Sequence, residues 1–364
     1  MFRPALLAAA LLGVPAVAGA TTAPPPPLGV NFGCGSCGSG TTYGTNYTYD
    51  ATTDIDVAYN AGVRTLRIGL KAYRLESKPG GAIDANVAAR LYPLIDHARA
   101  KNMTVILDMH DYGSWFGKTI SANDMPMVID LWSRAFAKYK GDAAVMPSFM
   151  NEPHLVSSTA IWPLIQSWVS GMRSAGFKNI LVVPGAGWSS LQSYSSYGAT
   201  AATIKDPLGK LLHDGHAYFD SDNSGTHTDV LGLTTADLTD PATFAQKVQT
   251  RFYQKLGGAF ANARANHYRF LVGETALPNT DVGRAALPII AKLYAANSDV
   301  IGQETWWVYT TWMQQPKYMF GLMQNRQPSV LLTTLGQAQA APAGARQSPS
   351  SRPTIQPLVI NLPH

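Results

Sequence analysis

The sequence predicts an α/β fold, a closed (β/α)8 TIM barrel built as one domain over residues 28–336, and three observations carry that prediction. Short apolar runs alternate with longer stretches in which apolar residues return every three or four positions, the signatures of buried strands and amphipathic helices. Strand–helix repeats imply a parallel sheet with crossovers of one hand, and eight units in about 300 residues suit a closed barrel better than an open sheet. Polar residues also stand where the apolar runs end, which is the face of a barrel that carries its chemistry.

In chain order, residues 1–20 read as a signal peptide. Arg3 supplies the positive start, 5–17 the apolar segment and Ala18-Gly19-Ala20 a small-residue cleavage site, so export with cleavage after Ala20 is expected. The apolar segment is too short and too rich in Ala for a membrane span, and no membrane association is expected after cleavage. Residues 21–27 form a Pro-rich stub, an extended spacer. Strands are predicted over 28–32, 65–70, 104–110, 145–150, 179–184, 211–218, 269–274 and 300–308. Helices are predicted over 86–101, 127–139, 161–175, 243–265 and 282–296. Asp84 is placed to cap the first of these, and Gly62, Gly141 and Gly176 to stop the helices that precede them. From Gln337 the composition turns to Ala, Pro, Gln, Ser and Arg, with no apolar run before Leu358-Val359-Ile360. That shift predicts a disordered tail over 337–364.

A hydrophobic fraction of 46% beside only 14% charged residues, with 32 Gly and 24 Pro, describes a loop-rich globular protein and not a coiled coil or an acidic disordered chain. The net charge of +5 has no basic run behind it, so no nucleic-acid partner is expected. Gly33, Gly35, Gly38 and Gly40 offer a phosphate-binding turn only superficially, because Cys34 and Cys37 interrupt it and no helix pattern follows. The two cysteines have the spacing of a redox pair or half a zinc site. In an exported chain without a second cysteine pair, a small loop-closing disulfide is the expectation. Asn46-Tyr47-Thr48 is a glycosylation sequon.

The predicted strand ends carry Arg67, His110, Asn151-Glu152, His216 with Tyr218, Glu274 and Trp307. Glu152 follows strand four and Glu274 ends strand seven, across the barrel mouth from one another. Cleavage of a glycosidic bond needs such a pair, one carboxylic acid to protonate the leaving oxygen and one carboxylate opposite. A lone Glu is more simply a capping or salt-bridged carboxylate; two at matched strand ends argue for chemistry. Asn151 suits a donor to a substrate 2-hydroxyl, although Asn before Pro153 is also an ordinary turn residue. Arg67 is expected to keep Glu274 ionised, with Glu152 in a drier setting as the proton-carrying partner, and Tyr218 to position Glu274. His110 and His216 lack the His-x-His pair and acidic ligand of a barrel metal site, so neither metal nor cofactor is expected; they are read as sugar-binding groups that tune the glutamates. His213 and His97 read as core histidines. Trp115, Trp188, Trp306, Trp307 and Trp312 fall in or near the upper loops, where aromatic faces stack on pyranose rings, whereas Trp132, Trp162 and Trp168 lie in helical patterns and read as core.

Several strings extend the pattern: Met150-Asn151-Glu152-Pro153-His154, the run from His216-Ala217-Tyr218 to Thr226-His227, Gly273-Glu274-Thr275, Leu107-Asp108-Met109-His110-Asp111-Tyr112, Leu66-Arg67-Ile68 and Gly29-Val30-Asn31. From about Leu28 to Trp312 they resemble glycoside hydrolase family 5, most nearly its endo-β-1,4-glucanase (cellulase) subfamily. The resemblance implies a cofactor-free retaining hydrolase of a β-linked polysaccharide or oligosaccharide, with Glu152 as acid/base and Glu274 as nucleophile, and the signal peptide adds the expectation that it is secreted. Around the two glutamates the resemblance implies a substrate-binding set of Arg67, His110, Asn151, His216, Tyr218 and Trp307, and a disulfide at Cys34 and Cys37; Tyr112 and Trp188 are added to the set as further candidates. β-1,4-Glucan cut internally is the leading substrate. Mixed-linkage glucan, mannan or short glucosides cut from one end are the alternative, and a non-catalytic carbohydrate-binding protein is the remote one, against which both glutamates weigh. A monomer is expected. Three departures stand out: Asp111 follows His110 where Asn is usual and adds a negative charge near the sugar, Gly69 replaces a common proline, and the bulk of Thr305-Trp306-Trp307-Val308-Tyr309 predicts a narrowed or end-blocked cleft.

Overall fold

The computed structural model describes residues 23–340; residues 1–20, expected to be a signal peptide, residues 21–22 of the stub and residues 341–364 lie outside them. Eight strands make the barrel: β1 Gly29–Phe32, β2 Thr65–Leu70, β3 Thr104–Met109, β4 Val145–Ser148, β5 Leu181–Pro184, β6 Leu211–Tyr218, β7 Phe270–Ala276 and β8 Ile301–Tyr309. All neighbours are parallel, and the sheet closes in the order β1-β8-β7-β6-β5-β4-β3-β2. One principal helix follows each strand: α1 Thr52–Asn60, α2 Ala85–Ala100, α3 Met125–Ala135, α4 Ile161–Ser174, α5 Tyr194–Ala201, α6 Pro241–Asn266, α7 Asp281–Ala296 and α8 Val330–Gln339. Among the described residues no helix is long and apolar enough to cross a membrane.

Local chemistry explains most of the helix ends. The Asp84 carboxylate accepts from the amides of Asn86 and Val87, satisfying two of the orphan donors that open α2. Gly62 and Gly176 take the left-handed conformation just past the caps of α1 and α4. Gly141 does not stop a helix. The stretch predicted as one helix over 127–139 breaks at Phe136, whose buried ring turns against Trp132, and tightens into a 3-10 turn at Ala137–Tyr139. Helix α1 was expected only through its stop at Gly62, and α5 and α8 were not predicted; α8 runs to Gln339, three residues beyond the expected domain end at 336 and into the segment expected to be tail.

The strands' period of two sorts side chains into the barrel or toward the helices. Ile106, Met146, Val182, Leu212 and Leu271 form a small apolar floor inside the barrel, separate from the large core between sheet and helices. Two residues further along β3 and β6 the same inward face carries Asp108 and Asp214, and two further again His110 and His216. The interior thus changes from apolar to ionic toward its C-terminal end.

The loop after β1 holds the disulfide Cys34–Cys37. Arg74 clamps it, donating to the carbonyls of Gly35, Gly38 and Gly40 while its guanidinium lies 4.3 Å from the Tyr47 ring centroid. Gly69 has a packing reason: a Cβ there would come within 2.3 Å of Ser36 Oγ, in the disulfide loop.

Candidate active site

Arg67 is the hub from which the mouth is organised. Buried on β2, it donates through Nη1 to Asn31 Oδ1 (2.8 Å) and Glu274 Oε1 (2.9 Å), and through Nη2 to Asn151 Oδ1 (2.6 Å). Asp108 and Asp214 lie 3.1 and 3.6 Å from Nη2. A buried guanidinium is tolerated only when it is paired in this way. Burial would lower its proton affinity, but Asp108, Asp214 and Glu274 raise it, so Arg67 stays charged.

Glu274 sits inside β7, opposite His216 in the ladder, at a register irregularity between β6 and β7. Its Oε2 accepts from the Tyr218 hydroxyl (2.8 Å), and His216 Nδ1 lies 3.7 Å away. Burial pushes the Glu274 carboxyl up, but His216, Arg67, His110 and the Tyr218 hydrogen bond together hold it below its ordinary range. Glu152 follows β4 on a turn with φ +36°, in the left-handed region. Its Oε1 accepts from His216 Nδ1 at 2.6 Å, while His216 Nε2 faces Asp214 Oδ2 at 3.3 Å. Desolvation opposes charge on His216, yet Glu274, Asp214 and Glu152 carry its pKa well above the ordinary value, and the ring is an imidazolium. One oxygen of Glu152, one of Glu274 and a nitrogen of His216 all lie within 4.8 Å of one another. Among the described residues this is the one cluster with metal-ligand composition. Its 2.6 Å contact is a hydrogen bond, shorter than the ~3 Å that separates ligands around a shared ion.

The expected contrast in burial is reversed. Glu152 keeps 14% of its side-chain surface and Glu274 only 7%, because Glu152 stands on the rim turn and Glu274 within the strand.

The remaining expected residues gather around this pair. The Asn151 Oδ1 is taken by Arg67, which leaves Nδ2, buried and without a partner among the described residues, facing the mouth. His110 donates Nδ1–H to Asp108 Oδ2 (2.8 Å), and its Nε2 pairs with the Tyr112 hydroxyl at 3.1 Å. Arg67 and His110 hold the Asp108 carboxyl at about 2 against the opposing effect of burial. Trp307 stacks beside His110 at 6.2 Å and donates Nε1–H to the Tyr318 hydroxyl. Trp188, 57% exposed, stands on the loop after β5, and Trp312, 42% exposed, after β8. Trp115 and Trp306 are not groove residues: both are buried, and Trp306 points outward to Tyr294 and donates to Glu304. His213 is core, whereas His97 is partly exposed on α2 and bonded to Asp56.

Two departures lose the effect expected of them. Asp111 is buried, accepts the Ala72 amide and lies 3.6 Å from Lys71 Nζ, so its charge is paired with that lysine and not left free toward the sugar site. Trp306 and Tyr309 are also buried, Tyr309 against Phe32, so of the bulky aromatics of β8 only Trp307 reaches the mouth and the cleft is not plugged there. Asn31, Asp108, Asp214 and Tyr318 were missed by sequence reasoning. For the two aspartates a signal existed, since each precedes a flagged histidine by two residues on the same strand face.

A family model described as Cellulase (glycosyl hydrolase family 5) matches residues 29–312. Endoglucanase gh5-1 of Neurospora crassa is 27% identical over 298 residues, covering 80% of this chain and 72% of that protein. Endo-beta-1,4-glucanase B of Emericella nidulans is 26% identical over 282 residues, covering 77% and 80%. The crystal structure of the endo-beta-1,4-glucanase Xac0029 from Xanthomonas axonopodis pv. citri superposes with a TM-score of 0.74 at 26% identity, covering 86% of this chain and 98% of that one.

Proposed function

The chain belongs to glycosyl hydrolase family 5, and on that premise we propose that it is a secreted endo-β-1,4-glucanase working by double displacement, with Glu274 as nucleophile and Glu152 as acid/base. The observation that carries this reading is the approach of the two carboxylates, whose oxygens come within 4.8 Å at the barrel mouth. Inverting enzymes hold their carboxyl groups about 6.5–9.5 Å apart to admit a water, and retaining ones at about 5–5.5 Å. An approach this close fits the retaining geometry better than the wider inverting one.

In the first step Glu274 Oε2 attacks the anomeric carbon while Glu152 gives its proton to the departing glycosidic oxygen, and a glycosyl ester forms on Glu274. Arg67 and Tyr218 hold the nucleophile ionised and aimed before attack. The Asn151 Nδ2–H donates to the sugar 2-hydroxyl, its amide oriented by the bond from Arg67 to its other end. In the second step Glu152 takes a proton from water, which attacks the ester and frees the sugar with its configuration retained. The polar set on β1–β3 and β8 cradles the sugar that reacts. Trp188, exposed on the loop after β5 and stacked on His154 two residues after Glu152, is the platform for the leaving sugar.

Viscosity loss measured against reducing-end release on soluble carboxymethylcellulose tests the reading. A fast viscosity drop with few new ends, lost by ~10²-fold or more in Glu152→Gln and Glu274→Gln, is the expected result. Unchanged turnover in Glu274→Gln would refute the nucleophile. No activity on this polymer with activity on mannan or short glucosides would keep the chemistry and move the substrate.

A further inference from the structure

His154, two residues after Glu152, has no role in the chemistry described so far, yet its side chain touches both the acid/base turn and the Trp188 platform. Its Nδ1 lies 3.1 Å from the Glu152 carbonyl oxygen, and its backbone amide donates to the same oxygen at 2.6 Å. A carbonyl can only accept, so Nδ1 carries the proton. These two bonds hold the turn on which Glu152 adopts its left-handed φ of +36°, a conformation that costs a non-glycine residue about 1 kcal/mol or more unless its surroundings impose it. The same imidazole lies under the indole of Trp188, with ring centroids 3.6 Å apart and planes at 15°. Tyr112 supports the pair from the side, 5.6 Å from His154 and 6.4 Å from Trp188. Trp188 is therefore backed on one face by His154 and remains more than half exposed. Its chain neighbour Ser189 accepts the His216 amide at 2.8 Å, so the platform loop is also tied to the residue that bonds Glu152.

We propose that His154 is a positioning residue that couples the leaving-group platform to the acid/base carboxyl: one ring fixes the backbone that aims Glu152 and, by stacking, the plane of Trp188. A sugar laid on the open face of Trp188 is then in register with the proton that must reach its oxygen. The proposal rests on Glu152 being the acid/base. It assigns His154 no proton transfer of its own, since its Nδ1–H is held by a carbonyl.

The two contacts separate by substitution. His154→Phe keeps an aromatic ring under Trp188 and loses the donor; His154→Asn keeps a short donor near the Glu152 carbonyl and loses the stack. The measurement is kcat/KM on 2,4-dinitrophenyl, 4-nitrophenyl and phenyl β-cellobiosides, where the need for proton delivery rises through the series, and on cellopentaose, with Glu152→Ala in parallel. For His154→Phe the expected loss grows along the series, from less than ~3-fold on the dinitrophenyl substrate to ~10-fold or more on the phenyl one. For His154→Asn the series stays nearly parallel to the parent enzyme, while KM for cellopentaose rises by ~5-fold or more. Thermal melting of each variant gives the size of any general loss of fold, which would lower all substrates by one factor. Equal losses on all substrates in both variants, or no loss in either, overturn the proposal. Glu152→Ala keeps the two failures apart. A steep leaving-group dependence, with azide restoring turnover, establishes the acid/base whatever His154 does. A flat response there would overturn that assignment and this inference with it.

Discussion

His216 stands between the two glutamates as a buried cation that both of them need, and its removal has a signed consequence. Its charge is the largest influence opposing burial at Glu274, and it lowers that carboxyl's pKa. A nucleophile must be ionised to attack, so the acid limb of the kcat/KM profile lies below the ordinary carboxylate range, and the limb moves to higher pH when the charge is lost. In His216→Gln, therefore, the acid limb is expected to shift upward in pH and turnover to fall, because Glu152 also loses its 2.6 Å donor. An acid limb in His216→Gln at the position of the parent enzyme would show that the imidazolium does not govern Glu274. The glutamates, Arg67, His110, Asn151, His216, Tyr218 and Trp307 were all legible as polar or aromatic residues at the ends of apolar runs. Asp108 and Asp214 were legible in principle, being two residues before His110 and His216 on strands whose inward face repeats every second residue. His154 had no such signal. Its importance arises from a left-handed turn and a stacking partner 34 positions away, and neither spacing nor composition encodes that meeting.

At the scale of elements, the loop after β1 shows how one missing Cβ fixes the rim of the barrel. The disulfide Cys34–Cys37 and the three carbonyl bonds of Arg74 hold this loop against the end of β2, so close that Gly69 has no room for a side chain. A Cβ at Gly69 would meet Ser36 at 2.3 Å (Oγ) and 2.7 Å (Cβ), and would lie 3.6 Å from His110 Nδ1. Gly69→Ala is expected to cost about 1–3 kcal/mol in denaturant unfolding. Because the obstacle is mainly the Ser36 side chain, Ser36→Gly in the same molecule should recover most of that loss. A double variant no more stable than Gly69→Ala alone would place the strain elsewhere. The alternation of strands and helices was plain in the hydrophobic pattern. The short helix α5 lay in a Ser- and Ala-rich stretch with little periodicity, and α8 ran into the compositional shift at Gln337, so both escaped. The bulk of Thr305–Tyr309 misled for a different reason. Adjacent strand residues point to opposite faces, so Trp306 fills the space toward α7 while Trp307 alone looks into the mouth.

The molecule as a whole extends past the family match, which ends at 312, through α8, whose Leu331, Leu332 and Leu335 are buried. The last turn of α8 reaches the barrel through Gln339, whose amide donates to Glu304 Oε1 on β8 beside Trp306 Nε1 at 3.0 Å. No cation faces Glu304 among the described residues, and Oε2 has no hydrogen-bond partner there. Burial raises its carboxyl from the ordinary 4.5 to about 8, with the two donated hydrogen bonds pulling only partly back. Between those values the folded chain keeps a proton at Glu304 that the unfolded chain has released, so protons favour the fold throughout that window. Any contribution of Glu304 to pH-dependent stability is therefore intact below about pH 4.5 and declines as pH rises toward about 8, at up to about 1.4 kcal/mol per unit. Glu274 acts in the other sense, since its carboxyl is lowered and favours the fold as pH rises. The two tendencies are separated by substitution, because Glu304→Gln accepts the same two hydrogen bonds and cannot ionise. Chemical denaturation of the full chain and of Glu304→Gln from pH 4 to 9 should give curves that agree near pH 4 and part steadily above pH 5, with the variant more stable at pH 8. Parallel curves across that range would mean that Glu304 is ionised in the folded state, and that α8 is joined to the barrel by a charged carboxylate instead of a neutral one.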